Sequence, residues 1–191
     1  MKLTRKEFIT RLVVSALFIA IATVLSEIKP FPQHFGGGIT PVSMLPIVLI
    51  PILYGTGWGF FCSGIYAVMQ CLFGLDTAFG SALSPIAVIG CLLLDYFLAY
   101  FCLGLVGLFR KGNVAVITAG VAVSIVARFL CSVLSGLTVW GEYIWMTGVT
   151  FFQGVWAAMI PNLYILIEAV TTSIVIAVLL QNKSFRKIIG K

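Results

Sequence analysis

The feature that most constrains this chain is a succession of apolar runs, each about as long as a bilayer's hydrocarbon core is thick. A helix that crosses lipid needs ~20 apolar residues. Runs of that order occupy residues 8–28, 58–75, 84–109, 114–139 and 154–180. Another, at 42–54, is shorter and contains Pro46 and Pro51, so it reads as a short or broken helix. With 61% hydrophobic and only 9% charged residues, the chain cannot cover itself with a polar surface. Soluble domains are roughly a quarter charged. The expectation is an all-α integral membrane protein: a compact bundle of six transmembrane helices forming one domain over residues 1–191. Asp76-Thr77 and Gly80-Ser81 read as a loop, and Trp140-Gly141-Glu142-Tyr143 as interfacial. The first run is too long for the apolar core of a secretory signal and lacks a clear small-residue cleavage site.

The net charge of +6 would suggest a nucleic-acid partner if it lay on one face. It does not. Lys2, Arg5, Lys6 and Arg11 precede or open the first span, Arg110 and Lys111 follow the fourth, and Lys183, Arg186, Lys187 and Lys191 follow the last. With six spans these segments fall on one side, leaving Lys29 as the cation opposite. Basic loops stay in the cytoplasm, so both termini are expected there.

Three ionisable residues fall within apolar spans: Asp95, Arg128 and Glu168. A charge at mid-bilayer costs about 2.5–3.5 kcal/mol on insertion scales, so each needs a partner, a wet cavity or a ligand. At 1.5 Å per residue all three lie ~16 Å inward from the outer face. An Asp95–Arg128 ion pair is expected from that shared level. Arg128 and Glu168 are candidates for ion-pairing or orienting roles. Asp95 also has aromatic company: Tyr96 beside it, Trp140 at the mouth of the fifth span, and Tyr143, Trp156 and Tyr164 in the same outer half. A carboxylate among aromatic faces suits an organic cation, each ring adding ~0.5–2 kcal/mol. Asn162 offers an amide that donates and accepts. Together these suggest a site for a flat, cationic, hydrogen-bonding heterocycle.

Other chemistries find little material. His34 is the single histidine, and the five cysteines form no CxxC pair, so neither a metal centre nor a Ser-His or Cys-His catalytic set is expected. No GxxxxGK[ST] phosphate loop is present. No enzyme activity, cofactor or metal is therefore expected, and uphill transport would draw energy from an ion gradient or a partner. In the first span Ala16 and Ala20 are one turn apart, a spacing that lets another helix approach closely. Internal packing would explain the pair equally well.

Three ordered motifs carry a family resemblance. Residues 36–47 (GGGITPVSMLPI), 93–100 (LLDYFLAY) and 128–136 (RFLCSVLSG, followed by Trp140-Gly141-Glu142-Tyr143) resemble thiamine-specific S components of energy-coupling factor (ECF) vitamin transporters. The resemblance implies a high-affinity vitamin-binding subunit in a bacterial plasma membrane. Such a subunit docks through Ala16 and Ala20 onto a membrane coupling subunit with two ABC ATPases, then topples to release its cargo inside. By the same resemblance Asp95, Tyr96, Trp140 and Gly136 contact the ligand, with Ser132, Asn162 and Tyr143 as further candidates. The loop holding Gly36, Gly37 and Gly38 acts as a lid. Ser132 stands where family members carry a histidine, and Ala157 where they carry a tyrosine. The ligand implied is therefore thiamine or a thiamine precursor, with another vitamin as the alternative. A stand-alone proton-coupled transporter and a non-transport scaffold are the rival classes.

Overall fold

The computed structural model describes residues 4–29, 31–32, 38–40, 42–81 and 83–188. Helix α1, Arg5–Glu27, opens on a capping box in which Thr4 and Glu7 satisfy each other's backbone N–H groups. Its inward residues are small: Ser15, Ala22 and Ser26. They let α3 approach closely enough for Trp58 Nε1 to donate to Ser15 Oγ (2.9 Å) and for Gln70 Nε2 to donate to Ser26 Oγ (2.9 Å). A two-residue antiparallel ladder follows, Phe31–Pro32 (β1) with Gly38–Ile39 (β2). Gly36 and Gly37 lie outside the described residues.

Helix α2, Leu45–Tyr54, is ten residues long, with Pro46 in its first turn and Pro51 inside it. Pro51 removes a helical hydrogen bond. Non-helical or weakened backbone is tolerated at membrane depth only where protein surrounds it, and residues 46–52 of α2 are all buried. The C-terminal carbonyls of a helix lack internal donors. Here Arg110 supplies them, donating from Nε to the Ile52 carbonyl (2.8 Å) and from Nη2 to the Leu53 carbonyl (2.9 Å). The short helix thus occupies the middle of the bundle, and Ile47, Val48, Ile50 and Ile52 form its core with Tyr66, Leu103 and Ile125.

Helix α3 spans Thr56–Gly80. The loop expected at Asp76-Thr77 is instead the last turn of this helix, because neither residue breaks helical geometry and the chain leaves only at Ser81. Helix α4 runs over Pro85–Phe109, opened by Ser84, whose Oγ accepts from the Ala87 N–H (3.3 Å). It is not uniform. Leu92–Leu98 is a π-helical segment, and Cys102–Phe109 tightens to 3-10 geometry. In that second stretch Gly104 and Gly107 lie against Phe60 and Thr56 of α3, where side chains would overlap. Helix α5, Val114–Thr138, is capped by Asn113. The short helix α6, Gly141–Trp145, follows it.

Helix α7 covers Phe151–Gln181 and opens on a Thr150/Gln153 capping box. Ile160–Asn162 interrupts it with a 3-10 turn. Pro161 has no N–H to give, and its ring crowds the carbonyl four residues earlier. The short helix α8, Lys183–Ile188, ends the described chain. The result is an all-α bundle in which α1, α3, α4, α5 and α7 are long and apolar enough to cross a membrane, with α2 as a short sixth helix. Its outer surface is apolar, as at Ile86 (83% exposed) and Phe61 (60%), which suits lipid rather than water.

Removing the donor that closes α2 tests this account. Arg110→Ala leaves the Ile52 and Leu53 carbonyls unpaired, and should cost about 1–3 kcal/mol, read as a lowered midpoint of thermal unfolding in detergent.

Candidate substrate-binding site

A cavity of about 490 Å³ opens between α3, α4, α5, α6 and α7. Asp95 and Tyr96 reach it from the π-helical segment of α4, Ser132 and Gly136 from α5, and Trp140 and Tyr143 from the chain beyond it. Asn162 reaches it from the break in α7. Every residue singled out by sequence as a substrate contact therefore lines one cavity. Arg128 also lines it, whereas Glu168 lies behind Arg128 in a smaller polar chamber of about 90 Å³.

The local geometry explains how these side chains converge. A π-helical turn shifts the residues after it around the helix axis, and such turns occur often at functional sites. Within this segment Asp95 Oδ2 accepts from Ser135 Oγ (2.6 Å), from Trp140 Nε1 (3.1 Å) and from Cys91 Sγ (3.6 Å). Its carboxylate is thereby fixed by α4, α5 and Trp140 just beyond α5. Tyr96 is packed against Gly74 of α3, where a Cβ would overlap its ring. Gly136 permits a close approach as well as lining the cavity: a Cβ there would lie 2.9 Å from the Ala158 Cβ of α7. At the helix break Asn162 Nδ2 donates to the Ala158 carbonyl (3.0 Å), which satisfies a backbone group next to the interruption. Tyr143, half-exposed at the outer mouth, donates its hydroxyl to the Ser81 carbonyl and joins α6 to the end of α3.

The expected Asp95–Arg128 ion pair is not formed. Arg128 Nη1 pairs with Glu168 Oε2 at 3.5 Å, and no other ion pair occurs among the described residues. The same nitrogen donates to Met44 Sδ (3.2 Å), while Nη2 donates to the Tyr100 hydroxyl (2.9 Å). The guanidinium lies over the Tyr100 ring, 4.2 Å from its centroid. Arg128 and Glu168 are both buried, at 5% and 2% exposure. Equal depth does not mean equal azimuth, and Glu168 on the adjoining α7 faces Arg128 more directly than Asp95 does.

Ser135, Cys91, Tyr100 and Gly74 belong to the site and were not expected there. Cys91 and Tyr100 are four residues before and five after Asp95. Those are the spacings that put side chains on one side of an α-helical and a π-helical turn. Ser135 precedes Gly136 and could have been found as the polar residue nearest the pocket glycine. Nothing in the sequence marks Gly74. Ala16 and Ala20 are both exposed on the outer face of α1 and take no part in the internal packing, which uses Ser15, Ala22 and Ser26.

The sequence pattern of the thiamine transporter protein family (Thia_YuaJ) matches residues 12–188. The chain belongs to that family. Its fold is also that of a solved structure of ThiT from Listeria monocytogenes, with a TM-score of 0.69, 22% identity, and coverage of 95% of this chain and 97% of that one. A search of curated protein sequences gave no match. Family membership makes this a membrane transport protein, and the ThiT likeness shows that the six-helix arrangement is shared.

The Gly74–Tyr96 contact generates a stability prediction. Gly74→Ala forces the Tyr96 ring to move or the helices to part, an overpacking cost of about 1–3 kcal/mol. Thermal unfolding should register it, with Gly57→Ala, where a Cβ meets open space, as the unaffected control.

Proposed function

We propose that this protein is the substrate-binding S component of an ECF-type importer and that its substrate is thiamine or a thiamine precursor. The observation that carries the reading is Asp95. It is a carboxylate held by Ser135 and Trp140 within an aromatic-lined cavity of about 490 Å³, in a chain of the thiamine transporter family. Thiamine joins an aminopyrimidine, which can donate to a carboxylate, to a cationic thiazolium, which gains from an aromatic face. Trp140 and Tyr96 offer such faces beside Asp95, and Asn162 and Ser132 offer hydrogen-bonding groups along the same wall. The space beside Ser132 and Ala157, which are smaller than the residues they replace in the resemblance, leaves a precursor or substituted ligand within the same reading.

The transport step is assigned by the same logic. The basic termini and the Arg110-Lys111 loop favour both ends of the chain lying in the cytoplasm, and the family resemblance implies a bacterial plasma membrane. The cavity, at the opposite end of the spans from those basic segments, then takes its ligand from outside. The chain contains no GxxxxGK[ST] phosphate loop, and on the resemblance to ECF S components a membrane coupling subunit with two ABC ATPases supplies the energy. The exposed Ala16 and Ala20 on α1 form the small-residue surface on which the coupling subunit packs, and toppling of the loaded S component delivers the vitamin inside.

Titration of the purified protein with thiamine, followed by tryptophan fluorescence, tests the binding step. Saturable quenching is expected. A response only to the pyrimidine or thiazole half would reassign the substrate, and silence to every vitamin would refute the reading. Asp95→Asn should weaken thiamine binding on the order of a hundredfold, as expected when one partner of a buried charge pair is neutralised. Ala16→Trp or Ala20→Trp should leave the titration intact and abolish uptake in cells expressing the coupling subunit and ATPases. Normal uptake in both would reject the docking surface.

A further inference from the structure

The buried Arg128 presents a difficulty for any site that takes a cation. Its guanidinium lines the same cavity as Asp95, so on formal charge the two cancel. Among the described residues its buried Nε has no hydrogen-bond partner. A positive ligand entering such a cavity would gain less from Asp95, because Arg128 in the same lining repels it in a medium that screens poorly.

Glu168 resolves the difficulty without touching the cavity. It is absent from the lining of the large cavity and sits in the small polar chamber behind Arg128, where its Oε2 lies 3.5 Å from Arg128 Nη1. Its Oε1 accepts from the Thr40 N–H (3.3 Å) and from Ser43 Oγ (3.5 Å), which in turn accepts from Thr40 Oγ1 (2.7 Å). The carboxylate is thus fixed by the residues that lead into α2. Met44, the next residue, places its Sδ against Arg128 Nη1. Glu27 and Lys29 also line the small chamber, but their formal charges offset each other. The group of Asp95, Arg128 and Glu168 therefore carries one negative charge in excess, and that charge faces the cavity at Asp95.

We propose that Glu168 is a positioning and charge-balancing residue for substrate binding: it neutralises Arg128 so that Asp95 remains available to a cationic ligand. The inference rests on the reading of the cavity as a thiamine site, and it adds a selectivity for charge that the cavity lining alone does not supply. Glu168 is not among the residues that line the large cavity, so its removal should act on charged and uncharged ligands differently. A purely structural role would weaken both alike.

The test compares thiamine with 3-deazathiamine, the neutral thiophene analogue of the same shape, by tryptophan fluorescence titration. In Glu168→Gln the preference for thiamine over deazathiamine should fall on the order of tenfold relative to wild type. In the double variant Arg128→Gln/Glu168→Gln, where both charges are gone, the wild-type preference should return. Arg128→Gln alone should not lower it, which keeps the proposal testable if Glu168→Gln does not fold. An unchanged preference in Glu168→Gln, or a lowered one in Arg128→Gln, would overturn the charge-balancing role. Failure of wild type to bind either compound would instead overturn the thiamine reading on which it rests.

Discussion

The structure depends on how three ionisable side chains are accommodated at membrane depth. Removing a charge from water costs several kcal/mol even after relaxation, and lipid returns none of it. Here the cost is offset by two kinds of contact. Arg128 and Glu168 pair with each other and recruit Tyr100, Met44, Thr40 and Ser43. Asp95 takes only neutral donors, Ser135, Trp140 and Cys91. The distinction matters. A carboxylate already neutralised by an arginine has little left to offer a ligand, while one held by hydroxyl and indole groups keeps its charge for whatever enters the cavity.

That arrangement explains much of the irregular backbone. Asp95 sits in a π-helical segment, Asn162 in a 3-10 break around Pro161, and Thr40 and Ser43 in the non-helical stretch before α2. Each is a departure from a regular spanning helix, and each delivers a polar group to one of the two chambers. Irregular backbone at membrane depth is tolerated where it lines a cavity or is enclosed in protein. The buried α2, with two prolines and its carbonyls closed by Arg110, is the same rule applied to the centre of the bundle. The same Arg110 reads in sequence as a topology signal, and the structure gives its side chain a second use.

The long spans were legible because lipid permits so few solutions: twenty apolar residues with capped ends have little alternative to a helix. Asp95, Tyr96, Trp140 and Asn162 were legible as a group because polar and aromatic residues at one depth have few places to meet except a shared interior. Two things were not. The extension of α3 through Asp76 and Thr77 is hidden because polar residues end an apolar run without ending the helix. The partner of Arg128 was misassigned because residue counting gives depth along a span and says nothing of rotation about it. The π-helical segment, which no local pattern announces, changes that rotation for every residue after it in α4.

Had Arg128 paired with Asp95, the cavity would hold a closed ion pair and a displaced Glu168, and a cation would have to break the pair to bind. With Glu168 as the partner, the arginine's charge is met by a carboxylate that is not part of the large cavity's lining. A spanning bundle can place a carboxylate of each kind at one level only by drawing them from different helices, α4 for the open one and α7 for the closed one. Arg128 therefore stays in the cavity wall with its charge met from α7, while α4 supplies Asp95 to the same cavity.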